Sequence, residues 1–390
     1  MSSDTLFVVI GNAPYHAVIK TSKQRVTAHL ARRFPTLYIE PPPATLDPIL
    51  KPGEQGRYFD YKKGVRREGP DEPFLVCPPP FRQFMDTRWQ FVDSFNQRRL
   101  GRFIKRTLEQ FEQKRVVLIS FVLNAGTIAR IVSPDLFAYY CVDLWTAAGI
   151  PFSDPRTIER IERDTIDAAD LVFAVSQPLV DRIADFHNRV IYSPHGVDYE
   201  LFSQPIASEN IPADVAAIPQ PRIGYVGTLA HWIDYDLIEQ LAKSRRDLQF
   251  VLIGGVDAGE RTQQLQTKPN VHLLGSRPLD AVPSYLAAFD VCFVPHFLND
   301  RNRYSNSLKV LQFLAAGKPV VSTAMPETVR HAPPVRIADG ADEFSVAIDD
   351  FLALWSKADT ENGRRIAASN TWEHRVDAVI AQIEAALSDK

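Results

Sequence analysis

Short apolar runs alternate with amphipathic stretches along the whole chain. In the first half the apolar runs fall at 6–10, 36–39, 116–120, 138–142, 171–175 and 189–192. They are continuous rather than alternating, which predicts strands covered on both faces, as in a parallel sheet. Helical periodicity fills the spaces between them, for example at 156–168 and 178–185. The pattern breaks at 204–221, where Pro205, Pro212, Pro219 and Pro221 leave little periodicity. This reads as a linker between two domains. Beyond it the alternation resumes, with strands expected at 222–226, 249–253, 271–274, 291–294 and 319–322. Helices are expected at about 235–244, 279–287, 307–316 and 343–357, and one final helix at about 362–387. The chain therefore predicts two doubly wound α/β domains, 1–203 and 222–360, followed by a C-terminal helix within 361–390.

Composition changes this picture little. The 390 residues exceed the usual single-domain size, 45% are hydrophobic and the net charge is −3. Nothing global points to nucleic acid. Cys77, Cys141 and Cys292 are far apart and show neither a disulfide framework nor zinc-ligand spacing. No metal or resident cofactor is expected. No apolar run reaches membrane-spanning length, so the expected location is cytoplasmic, with at most a peripheral place on the membrane.

In doubly wound sheets ligands bind beyond the carboxyl ends of the strands. In the second domain these ends carry Gly227-Thr228, Gly254-Gly255, Gly275-Ser276-Arg277 and His296. The run Ser305-Asn306-Ser307-Leu308-Lys309 then opens a helix ending at Gly317-Lys318-Pro319. Free N–H groups at a helix start suit a phosphate. Lys309 and Gln312 are three apart and share a face, so Lys309 can pair with a phosphate and Gln312 with a ribose or sugar hydroxyl. The same window could equally be an ordinary amphipathic helix with a solvated lysine. A dinucleotide-type G-x-G-x-x-G is absent.

Taken in order, Gly227-Thr228, Gly254-Gly255, Gly275-Ser276-Arg277 and Lys309-x-x-Gln312-x-x-Ala315-Ala316-Gly317-Lys318-Pro319-Val320-Val321 resemble the donor domain of GT-B glycosyltransferases. His195-Gly196-Val197-Asp198 resembles an element such enzymes carry before that domain. The likeness is nearest to the xanthan-type glucuronosyltransferase and to teichuronic-acid-type glycosyltransferases. It implies two Rossmann-like domains facing across a cleft, with the last helix packing back toward the first. It also implies a nucleotide diphosphate sugar, UDP first, as co-substrate. Gly227, Thr228, Gly254, Gly255, Arg277, His296, Asn306, Ser307, Leu308, Lys309 and Gln312 would then hold the donor. A glycan or polyprenyl-diphosphate-linked glycan would be the acceptor. Where retaining relatives carry a Glu-x7-Glu pair, this chain has Tyr304 and Gln312, which agrees better with inversion.

Inverting transfer needs a base for the acceptor hydroxyl. Asp143 follows the apolar run in Tyr140-Cys141-Val142-Asp143-Leu144-Trp145 and resembles the family's catalytic aspartate, with Trp145 as a possible apolar wall; as a helix cap it would be inert. Asn12, Tyr15 and His16, with Lys20 and Lys23 behind them, are the candidate acceptor contacts. Residues 81–106 hold seven basic and two acidic side chains interleaved with six aromatics. Leu100, Phe103, Ile104, Leu108 and Phe111 form one apolar face. The segment fits either an anionic inner membrane surface or core packing with a solvated basic side. A nucleotide-sugar epimerase of the same fold, or a non-catalytic sugar-nucleotide binder, also fits these motifs.

Overall fold

The computed structural model describes residues 4–17, 20–45, 47, 58–81, 90–147, 154–257 and 259–390. The chain divides into two units, Met1–Pro194 with Arg375–Lys390, and His195–His374.

In the first unit seven strands form one parallel sheet: β1 (Thr5–Ile10), β2 (Thr36–Ile39), β3 (Phe74–Val76), β4 (Arg115–Ser120), β5 (Leu136–Cys141), β6 (Leu171–Ala174) and β7 (Val190–Tyr192). Their order is β3-β2-β1-β4-β5-β6-β7. Every residue of β1, β2, β5 and β6 is buried, which is why these runs are apolar without alternation. The helices that matter below are α1 (Ser22–Ala31), α2 (Gln90–Leu108), α3 (Gly126–Val132), α4 (Pro155–Ala168) and α5 (Gln177–Ala184). Asp154 caps α4 by accepting from the Thr157 N–H, and Pro155 sits at its first turn, where a missing N–H costs nothing.

The second unit has a six-stranded parallel sheet in the order β10-β9-β8-β11-β12-β13. These are β8 (Arg222–Val226), β9 (Gln249–Ile253), β10 (Val271–Gly275), β11 (Val291–Val294), β12 (Val320–Ser322) and β13 (Val335–Ile337). Apolar clusters cover both faces. One is closed by α6 (Tyr235–Ser244) and the other by α7 (Leu308–Ala315). Strand order reverses between β1 and β4, and again between β8 and β11. The β8–β11 ladder pairs only Ile223–Val291 and Gly224–Cys292. The carboxyl ends at such a reversal are the usual ligand position in doubly wound sheets.

Several expected features come out differently. Residues 204–221 lie inside the second unit instead of between units: Val215 and Ile218 join its core. The buried Arg222 side chain donates to the carbonyls of Ile218, Ala216 and Ala288 at 2.7, 2.9 and 3.3 Å, fastening the segment. The single final helix is two, α9 (Lys357–Ala368) and α10 (Trp372–Ser388), with α8 (Gly340–Leu354) ending before Ser356 opens α9 through a capping box with Asp359. The break between α9 and α10 has a clear cause. Thr371 bridges to Val197, Val197 N–H donates to the Asn370 carbonyl, and a Cβ at Gly196 would overlap the Trp372 backbone. From Arg375 onward the chain belongs to the first unit, where Asp377 pairs with Arg33, Asp389 with Arg189 and Lys390 with Asp170.

Candidate active site

Lys309 is the centre of the second unit's carboxyl edge. It lies in the first turn of α7, and its aliphatic stem crosses Gly227, the residue just past β8. A Cβ on Gly227 would overlap the Lys309 Cε, and Gly227 has φ of 152°, so glycine is required twice over. Gly254, with φ of 156°, backs this turn: a Cβ there would strike the Gly227 carbonyl. The Lys309 Nζ lies 5.5 Å from the centre of the Tyr225 ring, and the His296 ring packs 6.2 Å from the same ring. Burial pushes the Lys309 ammonium down to about 8. His296, at 5% exposure, is held well below its ordinary value, first by burial and then by Lys309. Both its ring nitrogens lack a hydrogen-bond partner. A neutral imidazole with both nitrogens unpartnered, beside an ammonium with depressed pKa, suits an anion with hydroxyls attached.

The surrounding groups extend this arrangement. Ser307 occupies the cap position of α7, yet its hydroxyl makes no capping bond and is buried without a partner. The Thr323 hydroxyl just beyond β12 is likewise buried and unpartnered. Asn306 is fixed by donating its Nδ2 to the buried Glu327 Oε2 at 3.2 Å. Thr228, Leu308 and Gln312 are half-buried around the same edge, and Gly255 lies in the turn after β9, opposite Ser276. Arg277 is different. Its guanidinium is occupied by Asp214 at 2.7 Å, the Tyr285 hydroxyl at 2.6 Å and the Ser276 carbonyl at 2.9 Å. The side chain therefore anchors the 213–216 turn, and only its backbone remains for a ligand. Lys318 is structural too, donating to the carbonyls of Ala287 and Phe289. Arg301 stacks over Trp232 at 5.0 Å and shares a 2.7 Å hydrogen bond with His231. Sequence reading missed Tyr225, Thr323 and Glu327.

In the first unit Asp143 follows β5, as the apolar run implied. The half-buried Lys23 of α1 is its electrostatic partner; burial lowers Lys23 to about 8 and Asp143 opposes that shift. Trp145, expected as an apolar wall, is itself a core group. It packs with Leu123 and Ile158, and its indole N–H donates to the Tyr139 hydroxyl at 2.7 Å. Tyr139 donates in turn to the buried Glu162, which Arg182 neutralises at 2.9 Å. The expected acceptor contacts fare unevenly. Asn12 is exposed. Tyr15 is buried, its hydroxyl donating to Glu72 at 2.9 Å, so its side chain is a core group. The exposed His16 pairs with Glu68 at 3.2 Å.

The basic aromatic segment is described from residue 90 on; 82–89 lie outside the described residues. Leu100 and Ile104 are buried, Gly101 presses on Ile131 of α3, and Phe111 packs on Phe74 at 5.1 Å. The apolar face, for which a membrane surface and core packing were both open, is core. A second face points outward, with Phe91 and Phe95 at 68% and 58% exposure followed by Arg98, Arg99, Arg102, Lys105 and Arg106. No described helix is long and apolar enough to cross a membrane.

Comparison with known proteins agrees with this geometry. Residues 220–354 match the family model "Glycosyl transferases group 1". Over 356 residues the chain is 28% identical to a protein named as a putative teichuronic acid biosynthesis glycosyltransferase, TuaH of Bacillus subtilis, covering 78% of this chain and 87% of that one. It is 24% identical to a D-inositol 3-phosphate glycosyltransferase of Mycolicibacterium smegmatis over 58% of this chain and 56% of the other. Among solved structures, HepE of Anabaena in complex with UDP and glucose superposes with a TM-score of 0.67 at 14% identity, covering 98% and 99% of the two chains. A UDP-forming α,α-trehalose-phosphate synthase from Burkholderia xenovorans gives 0.68 at 12% identity, covering 97% and 99%. Two doubly wound units and these superpositions give the chain the GT-B fold, and its second unit, with a glycine-rich carboxyl edge facing Lys309, is similar to group 1 glycosyltransferases.

Proposed function

We propose that the protein transfers a sugar from a nucleotide diphosphate sugar, with UDP as the nucleotide, to a hydroxyl of a glycan or polyprenyl-diphosphate-linked glycan during polysaccharide synthesis. The observation that carries this reading is the buried His296, with both ring nitrogens unpartnered, beside a Lys309 ammonium lying over Gly227. In this reading Lys309, the Ser307 hydroxyl and the N–H groups opening α7 hold the diphosphate, Asn306, Gly227 and Thr228 border it, and Gln312 takes a ribose or sugar hydroxyl. Gly254 and Gly255 keep the edge low enough for the ligand to approach, and the Arg277 backbone borders the base. HepE, which was solved with UDP and with UDP-glucose, supports the choice of nucleotide.

Chemistry then follows from charge. The bond from the sugar's anomeric carbon to the diphosphate oxygen breaks, and its electron pair leaves with the diphosphate. Lys309 and the helix start stabilise that charge without a metal. The acceptor oxygen attacks the anomeric carbon and gives its proton to the Asp143 carboxylate, with inversion. The Lys23 ammonium lies within electrostatic reach of that carboxylate. The outward face of α2 would hold the enzyme at the cytoplasmic side of an anionic membrane, where a lipid-linked acceptor resides.

Thermal unfolding against UDP, GDP, dTDP, ADP and CMP and their sugar conjugates tests the donor assignment. A ligand at about 100 times its Kd stabilises by about 2.7 kcal/mol. A selective rise with UDP and UDP-sugars is expected; no rise with any nucleotide overturns the reading.

A further inference from the structure

The first unit contains a second polar recess, apart from Asp143. It encloses about 290 Å³ between the starts of α2 and α3 and the middle of α4. Asp93 and Gln97 of α2 and Asn124 after β4 form its floor. Asp93 Oδ1 accepts from Gln97 Nε2 at 3.2 Å and from Asn124 Nδ2 at 3.0 Å. The other ends of both amides are left over: Gln97 Oε1 and Asn124 Oδ1 are buried without a partner, in residues only 3% and 6% exposed. Buried polar atoms are ordinarily satisfied, and both of these belong to residues that line the recess. The rim carries Thr127, an exposed Arg160, and Arg130, which is bound to Asp164 at 3.0 and 2.7 Å. Ile161 supplies an apolar patch.

We propose that this recess binds one pyranose ring of the acceptor glycan. The inference rests on the glycosyltransferase reading and moves the acceptor subsite away from Tyr15 and His16, whose side chains are already engaged. Sugar hydroxyls donate as well as accept, so they can satisfy the two amide oxygens that Asp93 leaves over. Asp93 and Arg160 provide the charged hydrogen-bond partners that fix a ring's orientation, and Ile161 suits its C–H face. A bare cation is a poor fit, because Arg130 and Arg160 share the rim. Burial raises the Asp93 carboxyl above its ordinary value despite its two amide donors, consistent with a group that waits for a hydroxyl donor. The recess is joined to the Asp143 loop: Leu123, next to Asn124, packs on Trp145, two residues past Asp143.

The test is saturation-transfer NMR on the full chain with methyl glycosides of glucose, N-acetylglucosamine, rhamnose and glucuronic acid, alongside thermal shifts with UDP-glucose. At least one glycoside should bind the wild type. Gln97→Met with Asn124→Leu should weaken it tenfold or more, and Arg160→Ala, an exposed change that does not threaten folding, severalfold. The UDP-glucose shift should persist in all variants. Absence of binding by every glycoside, or equal binding by wild type and Arg160→Ala, overturns the subsite. Loss of the UDP-glucose shift in the wild type instead counts against the donor reading.

Discussion

Lys309 gives the sharpest consequence of the donor site. Burial lowers its ammonium from the ordinary 10.5 to about 8. A diphosphate seated against it favours the charged form and should restore the pKa toward or above its ordinary value. Binding is then linked to proton uptake. Below pH 8 the free enzyme already carries the proton and affinity is flat; above pH 8 each unit costs a factor approaching ten until the pKa of the complex is reached. With a free pKa of about 8, roughly nine-tenths of Lys309 is charged at pH 7 and about one-tenth at pH 9. The Kd for UDP-glucose should therefore rise about tenfold over that interval, about 1.4 kcal/mol. Isothermal titration at both pH values, repeated in buffers of different ionisation enthalpy, reads affinity and proton uptake together. The ligand-free protein shows the opposite linkage. A lysine whose folded pKa is depressed costs stability while it is charged, below about 8, and that cost fades as pH rises toward 10.5. Lys309→Met should thus stabilise the ligand-free protein at pH 7, by at most about 3 kcal/mol, and raise its Tm, with the gain shrinking by pH 10, while UDP-glucose binding is lost. A Kd that stays constant between pH 7 and 9 with no proton taken up would refute the reasoning.

Two further predictions concern the first unit. Asp143→Asn should leave the UDP-glucose shift intact while lowering kcat by at least a thousandfold; a rate near wild type, or a product whose anomeric proton signal shows retention, removes Asp143 as the base of an inverting transfer. The exposed Phe91, Phe95 and basic stripe of α2 should carry the protein with vesicles containing anionic lipid and not with neutral ones. Flotation should be abolished by Phe91→Ser with Phe95→Ser, and equal flotation with both vesicle types speaks against the surface.

Most strands were legible because burial on both faces writes them as unbroken apolar runs. β3 and β13 were not: each has three residues and neighbouring prolines. Lys309 and Gly227 could be singled out because doubly wound sheets put ligands at strand ends. Tyr225 could not, since an aromatic residue within a strand reads as core until its ring is seen under Lys309. Tyr15 and His16 misled for the reverse reason. The partner that occupies the Tyr15 hydroxyl lies 57 positions away, and no local pattern announces it. The 204–221 segment looked detached because its anchor is the side chain of Arg222, whose polar character in a strand gives no hint that it ties down three carbonyls. Gln97 and Asn124 were invisible as a pair, because only the approach of α2 to the loop after β4 sets both amides on Asp93.

The division of the chain has a consequence for its biosynthesis. The second unit is one continuous stretch, His195–His374, whereas the first needs residues from both ends of the sequence. On the ribosome the second unit can therefore complete itself while the first still lacks the segment that brings Asp377 to Arg33, Asp389 to Arg189 and Lys390 to Asp170. The half that emerges first is the last to close. A nascent chain stalled before Arg375 would display a finished second unit and a first unit with an unsealed sheet; under the proposed function it would bind sugar nucleotide without being able to pass the sugar on.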